Sequence, residues 1–237
     1  MRARPSHSDH ASRTRSALLG SLAVEDRTSA GLYLEMTDGP IAGYAETRVP
    51  EVLALHGVRG ATWWENVVRD RTDLPRKIPE FSYLGVYEVA ATFTAPPLPP
   101  GVTGHHYRRT GRPGQGRLTG RPTVGLSLVL ISPRSPDGAV ALRDWADFVH
   151  IRHIAEVAVP GHSMITPYEH AGGDDPRFLH FYEMDTDDPE RSFQAMTPLV
   201  SKVLGDPGTP AFDEWARHPE LRIMYVNSFR RLGERTS

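Results

Sequence analysis

From Val124 to Ile131 apolar and small polar side chains alternate and β-branched residues recur, the period-two pattern of a strand. Asp137-Gly138 punctuates. Leu142, Trp145, Val149 and Val157 then form a helical stripe over Ala139–Val159, which Pro160-Gly161 stops. Met164–Glu169 and Phe178–Met184 read as two strands joined by the turn Gly172–Pro176. Asp188 as N-cap and Pro189 at the first position start a helix that runs to about Leu204. Gly205–Pro210 breaks it, Phe212–Arg217 suits a short helix, and Leu221–Phe229 is the last strand.

The first half carries the same pattern. Gly31–Leu34 matches Gly125–Leu128. Trp64-Glu65-Asn66 follows Gly57 at the distance at which Tyr168-Glu169-His170 follows Gly161. Tyr87-Glu88 matches Tyr182-Glu183, and Tyr107–Gly111 matches Phe229–Gly233. Four matches in one order read as an internal repeat, each copy β-α-β-β, a variable part, then β. The first copy lacks the second helix, and a proline stretch stands in its slot. Residues 1–27 read as a flexible tail and 95–122 as irregular, the latter because of Ala95–Gly101 and Gly111–Gly116. The expected organisation is a tail over 1–27, one repeat over 28–111, a linker over 112–122 and a second repeat over 123–237.

The β-α-β-β-α-β order is ferredoxin-like. The helix-to-strand junctions are Arg48–Gly57 and Arg152–Gly161. With them, residues 29–111 and 123–233 resemble the dimeric α+β barrel superfamily, above all its EthD-type and stress-responsive branches. That family ends its first helix with His-x-Pro and, five residues on, Pro-Gly. Here Arg48 and Arg152 stand at the histidine position. The resemblance implies an α+β fold: tandem ferredoxin-like repeats forming a pseudo-dimeric barrel with antiparallel sheets. The superfamily includes polyketide cyclases, muconolactone-type isomerases, cofactor-free quinone-forming monooxygenases and haem proteins.

Composition narrows the function. Twenty-seven Lys and Arg against 29 Asp and Glu give a net charge of −2, so no basic excess points to nucleic acid. No apolar run approaches the ~20 residues that span a bilayer, so no membrane partner is expected. Cysteine is absent, which excludes thiolate chemistry and disulfides. A cytoplasmic protein is the default. The face left bare by the missing helix leaves room for a homodimer.

The second half holds six of the 11 histidines. His150 and His153 are neighbours on the predicted helix, and Arg152 lies beside its apolar stripe. His180 and Tyr182 share one strand face, Phe181 and Glu183 the other, and Tyr168 shares a face with His170. Imidazole suits proton abstraction beside a carbonyl, a phenol suits an enolate oxygen, and arginine suits a substrate carboxylate. The candidate catalytic residues are therefore His153, His150, His180, Tyr168 and Tyr182. The candidate binding residues are Arg152, His170, Arg48, Trp145 and Phe181. Tyr168 aligns with Trp64, which also suits a packing role. The set suits a cofactor-independent lyase, isomerase or cyclase acting on a small hydrophobic aromatic or polyketide-like carbonyl compound. The alternatives are an oxidative enzyme, haem-dependent or cofactor-free, and a non-catalytic binder of small molecules. No metal is expected, since no HExxH-type signature is present. The expected cofactor is none, with haem as the alternative.

Overall fold

The computed structural model describes residues 29–39 and 43–237. The tail expected over 1–27 lies outside them. Strand β1 (Gly31–Thr37) leads to helix α1, a π-helical turn Tyr44–Arg48 continued by Val49–Leu53. Strands β2 (Val58–Asn66), β3 (Tyr83–Val89), β4 (Val102–Arg109) and the short β5 (Gln115–Gly116) follow. The second half opens with β6 (Gly125–Pro133). Helix α2 comprises Ala139–Trp145, a π-helical turn Ala146–His150, and Ile151–Glu156. Strands β7 (His162–His170) and β8 (Phe178–Met184), helices α3 (Pro189–Leu204) and α4 (Pro210–Ala216), and β9 (Leu221–Thr236) complete it.

All strand pairings are antiparallel among the described residues. The order is β4-β1-β3-β2-β9-β6-β8-β7, and β4 pairs back to β7 to close an eight-stranded barrel. Within each half the spatial order is the same, β4-β1-β3-β2 and β9-β6-β8-β7. The closing seam is short, three rows from Tyr107↔His170 to Arg109↔Tyr168. It leaves neither β4 nor β7 as an open edge along those rows. Strand β4 lies inside the stretch read as irregular. The prolines before it end at Pro100, and the strand itself carries none. Residues 90–101 fill the slot of the missing helix, and Phe93 packs on Tyr33 with ring centroids 5.3 Å apart. Helices α1 and α2 both give way to strands through a glycine of positive φ, Gly57 at 87° and Gly161 at 84°. A side chain there would be strained.

Every residue of β1 and β8 is buried. One face of each fills the barrel, where Leu32, Leu34, Leu128, Leu179 and Phe181 join one cluster. The other face lies under helices. The interior of this eight-stranded barrel is filled by such side chains.

Under α1 the outer face of the first half is filled by phenols and one ion pair. Glu35, fully buried, accepts from Tyr33 at 3.0 Å and from Tyr44 at 2.7 Å. Tyr87 in turn meets the Tyr44 hydroxyl at 2.8 Å. Arg48 donates to Glu35 through Nη2 at 2.7 Å and through Nε at 3.2 Å. Gly85 makes this possible, since a Cβ there would sit 2.2 Å from the Tyr44 hydroxyl oxygen. Removing one member of such a pair strands a buried charge. Arg48→Ala is therefore expected to cost about 3–5 kcal/mol in urea unfolding. A loss below about 1 kcal/mol would show that the phenols alone hold Glu35.

Candidate functional site

The corresponding outer face of the second half is not filled. A cavity of about 270 Å³ lies there between sheet and helices. Its floor is the outer face of β6, β8 and β9, including Val129, His180, Tyr182 and Val226. Trp145 and His150 of α2, Phe193 and Met196 of α3, and Phe212 and Trp215 of α4 form its walls. Its volume is near the lower end of the roughly 300–1,000 Å³ range of ligand pockets, which suits a small molecule.

His180 is the chemically distinctive residue. It is 3% exposed, and its Nε2 lies 2.9 Å from Oδ1 of Asp147, itself 1% exposed. Burial pushes the Asp147 carboxyl up, but the His180 hydrogen bond and the Arg143 and Arg112 charges outweigh this and hold it below the usual carboxylate range. Asp147 is thus a carboxylate, which can only accept. The neutral imidazole therefore has its hydrogen on Nε2 and its lone pair on Nδ1. Nδ1 has no hydrogen-bond partner among the described residues. Arg143 donates to Asp147 at 3.3 Å and also to Glu169 and Thr110. Arg112 stands 3.4 Å from the same carboxylate. A buried Arg143 and a half-buried Arg112 thus fix the group that orients His180.

Tyr182 shares the cavity face of β8. Burial and the Asp147 charge raise its pKa, so it stays a phenol at neutral pH. Its hydroxyl has no hydrogen-bond partner among the described residues. His150 lies between two indoles, with centroids 5.0 Å from Trp145 and 5.1 Å from Trp215. Its Nδ1 donates to the Trp215 carbonyl at 3.0 Å, and Trp215 Nε1 donates to the His150 carbonyl at 3.1 Å. Burial pushes its pKa down to about 4, so it is neutral at pH 7. The reciprocal clasp docks α4 on α2 over the cavity.

Four candidates thus meet at the cavity: His150, His180, Tyr182 and Trp145. The other six lie elsewhere. Phe181 alternates with His180 and Tyr182 and so points into the barrel. Tyr168 pairs with Leu179 and shares its inward face, where Arg109 stands 5.7 Å over its ring. His170, two residues along β7, packs on Tyr107 and His105 at the seam. His153 turns back to its own helix, its Nδ1 2.7 Å from the Val149 carbonyl. Arg152 is 59% exposed in an ion pair with Glu156. Arg48 belongs to the Glu35 pair of the first half. The π-helical turn in α2 explains the helix positions. It inserts a residue and shifts the buried stripe to Asp147, Ile151 and Ile154, where a regular helix carries it to Val149 and Val157. The pattern of apolar residues does not reveal Asp147. The spacing Arg143, Asp147, Ile151 is its one signal: an i, i+4 ion pair in line with an apolar position.

The cavity residues do not fit haem. The cavity of about 270 Å³ lies near the lower end of the ligand-pocket range, small for a macrocycle of haem's size. No Arg or Lys lines the cavity among the described residues to meet two haem carboxylates. Among the described residues no three His, Asp or Glu side chains are placed to hold a metal ion. No described helix is long and apolar enough to cross a membrane.

No protein-family model and no curated protein matches the sequence. Solved structures do. An anthrone oxidase-like protein superposes with a TM-score of 0.53 at 12% identity, covering 89% of this chain and 95% of its own. A protein named as a monooxygenase from Fusobacterium nucleatum subsp. nucleatum gives 0.44 at 8% identity, covering 89% and 99%. A chlorite dismutase from Candidatus Nitrospira defluvii gives 0.48 at 12% identity, covering 87% and 93%. The likeness to the first shows the fold alone, an antiparallel α+β barrel.

The buried imidazoles make acid sensitivity predictable. Burial pushes His105, His150 and His162 down to about 4, against about 6.5 in an unfolded chain. Between those values the unfolded chain takes up protons that the folded protein refuses. Stability therefore falls as pH drops from about 6.5 to about 4, by on the order of 1–2 kcal/mol per group at pH 5. Both ring nitrogens of His162 are buried without a hydrogen-bond partner. His162→Leu is expected to flatten the slope of urea midpoint against pH in this window; an unchanged slope would exclude His162 as a contributor.

Proposed function

We propose that the cavity binds a small, uncharged aromatic hydroxyl or carbonyl compound and that His180 removes a weakly acidic proton from it. One observation carries this reading: a buried imidazole, oriented by an ionised carboxylate, faces an apolar cavity with its other nitrogen unpartnered. Nδ1 of His180 takes the proton. Asp147 holds the ring and stabilises the imidazolium that forms, as carboxylates do in triads. The Tyr182 hydroxyl donates to the developing oxyanion, where exclusion of water strengthens the contact. The absence of lining cations and the aromatic walls favour a neutral, planar substrate.

The resulting carbanion is electron-rich, and its fate defines the reaction class. We favour transfer to dioxygen. For anthrone, one anthrone and one dioxygen give one anthraquinone and one water, which balances with no further reductant. The name of the anthrone oxidase-like neighbour supports this choice of probe. The second reading is a lyase, isomerase or cyclase step. There the same anion is protonated or closes a ring with no oxidant. The unpartnered Tyr182 hydroxyl, a donor for an enolate oxygen, suits both. The matched strand order of the two halves and their two helix-ending glycines support reading the chain as two copies of one unit. The second copy holds the site.

Anthrone turnover followed with an oxygen electrode separates the readings. Dioxygen uptake matched to quinone formation is expected. A substrate-consuming reaction unaffected by removing dioxygen would favour the second reading. His180→Ala is expected to lower turnover by about 10²–10⁴-fold. Full activity in that variant would place the base elsewhere.

A further inference from the structure

The cavity of the second half has one wall residue from the first. Leu74 lines it, whereas all the other lining residues follow position 128. Leu74 stands in residues 67–82, the long connection between β2 and β3. Residues 171–177 make the corresponding connection between β7 and β8 in the second half. The longer connection crosses the barrel end and lies on β9. Val67 donates to the Ser228 carbonyl at 3.1 Å, and Lys77 to that of Met224 at 2.8 Å.

One buried side chain pins it. Arg71, its side chain 1% exposed, donates through Nε to Asn227 at 3.2 Å and through Nη1 to Asp73 at 3.1 Å. Its Nη2 bonds Glu190, in the first turn of α3. Ser228 donates to the same Glu190 oxygen at 2.8 Å. The guanidinium also lies 4.8 Å above the ring of Phe193, a second cavity wall. A buried guanidinium holding three partners in fixed directions is a rigid mount, which a lysine cannot reproduce.

We infer that Leu74 is a specificity-determining residue for the cavity and Arg71 its positioning residue. The first half of the chain thereby sets the length of aromatic substrate that the second half accepts. The inference rests on the cavity being the ligand site proposed above. Leu74 caps the space between Phe193 and the outer face of β9. Shortening it lengthens that space without touching His180, Asp147 or Tyr182.

The test measures Kd for 1-naphthol, with two fused rings, and for anthrone, with three. The readout is quenching of intrinsic tryptophan fluorescence, since Trp145 and Trp215 line the cavity. In Leu74→Ala the preference for anthrone over 1-naphthol is expected to rise at least tenfold. A single methylene in an apolar pocket is worth about 10–200-fold, and this change removes three carbons. Leu74→Phe is expected to move the ratio the other way. Arg71→Met should move it in the direction of Leu74→Ala, and Arg71→Lys should fall between. A merely structural role for Arg71 would lower Tm and leave the ratio alone. If the wild-type protein is quenched and the Leu74→Ala ratio stays within twofold, the inference is overturned and the cavity remains the ligand site. If neither probe quenches the wild-type protein or is turned over, the cavity reading and this inference fall together.

Discussion

This closed barrel of eight strands is filled by its own side chains. They include Leu, Phe, Tyr and Trp from both halves. The cavity described above lies outside it, between the sheet and the helices that cover it. This single constraint decides what each strand residue can do. On β8, Phe181 and His180 are neighbours in sequence, yet one is barrel core and the other cavity floor.

The covering helices meet a second constraint. A strand buried on both faces has no solvent to satisfy a polar side chain. His180 is such a side chain, and it draws a chain of charges behind it: Asp147, then Arg143 and Arg112, then Glu169 and finally Arg177. The chain ends on the turn between β7 and β8 and on the segment that joins the two halves. Such a network is costly to desolvate and strongly directional once formed. What it supplies is orientation: one tautomer of one imidazole, with its lone pair away from the carboxylate.

Most of the fold was legible in the sequence. Strands β6 to β8, the helix after Asp188 and the stop at Gly161 follow from local chemistry that acts within a few residues. Strand β4 was obscured by the prolines that precede it, since its pairing with β1 and β7 is a tertiary matter. The site was legible in half. Alternation places His180 and Tyr182 together, and the helix places Trp145 and His150 near them. The same alternation says nothing about which face is inside, so Phe181 and Tyr168 could not be assigned. The π-helical turn changes the helix phase at the point where Asp147 sits. No periodicity argument on a regular helix finds that residue, and none finds Leu74, which reaches the cavity across about a hundred residues of chain.

The two outer faces share one strand order and hold opposite contents. In the first half Tyr44 stands against Gly85, and three phenols close around Glu35. In the second, His180 stands at the place of that glycine and the space beside it is open. The molecule has thus divided its labour along its own length. Sequence drift around Glu35 is constrained by rigidity, because a volume change there meets packed phenols and a buried charge. Drift in the second half meets an opening, where a larger or smaller side chain changes the shape of the cavity before it changes whether the chain folds. Side-chain volume can change on one side while the other side keeps the barrel packed.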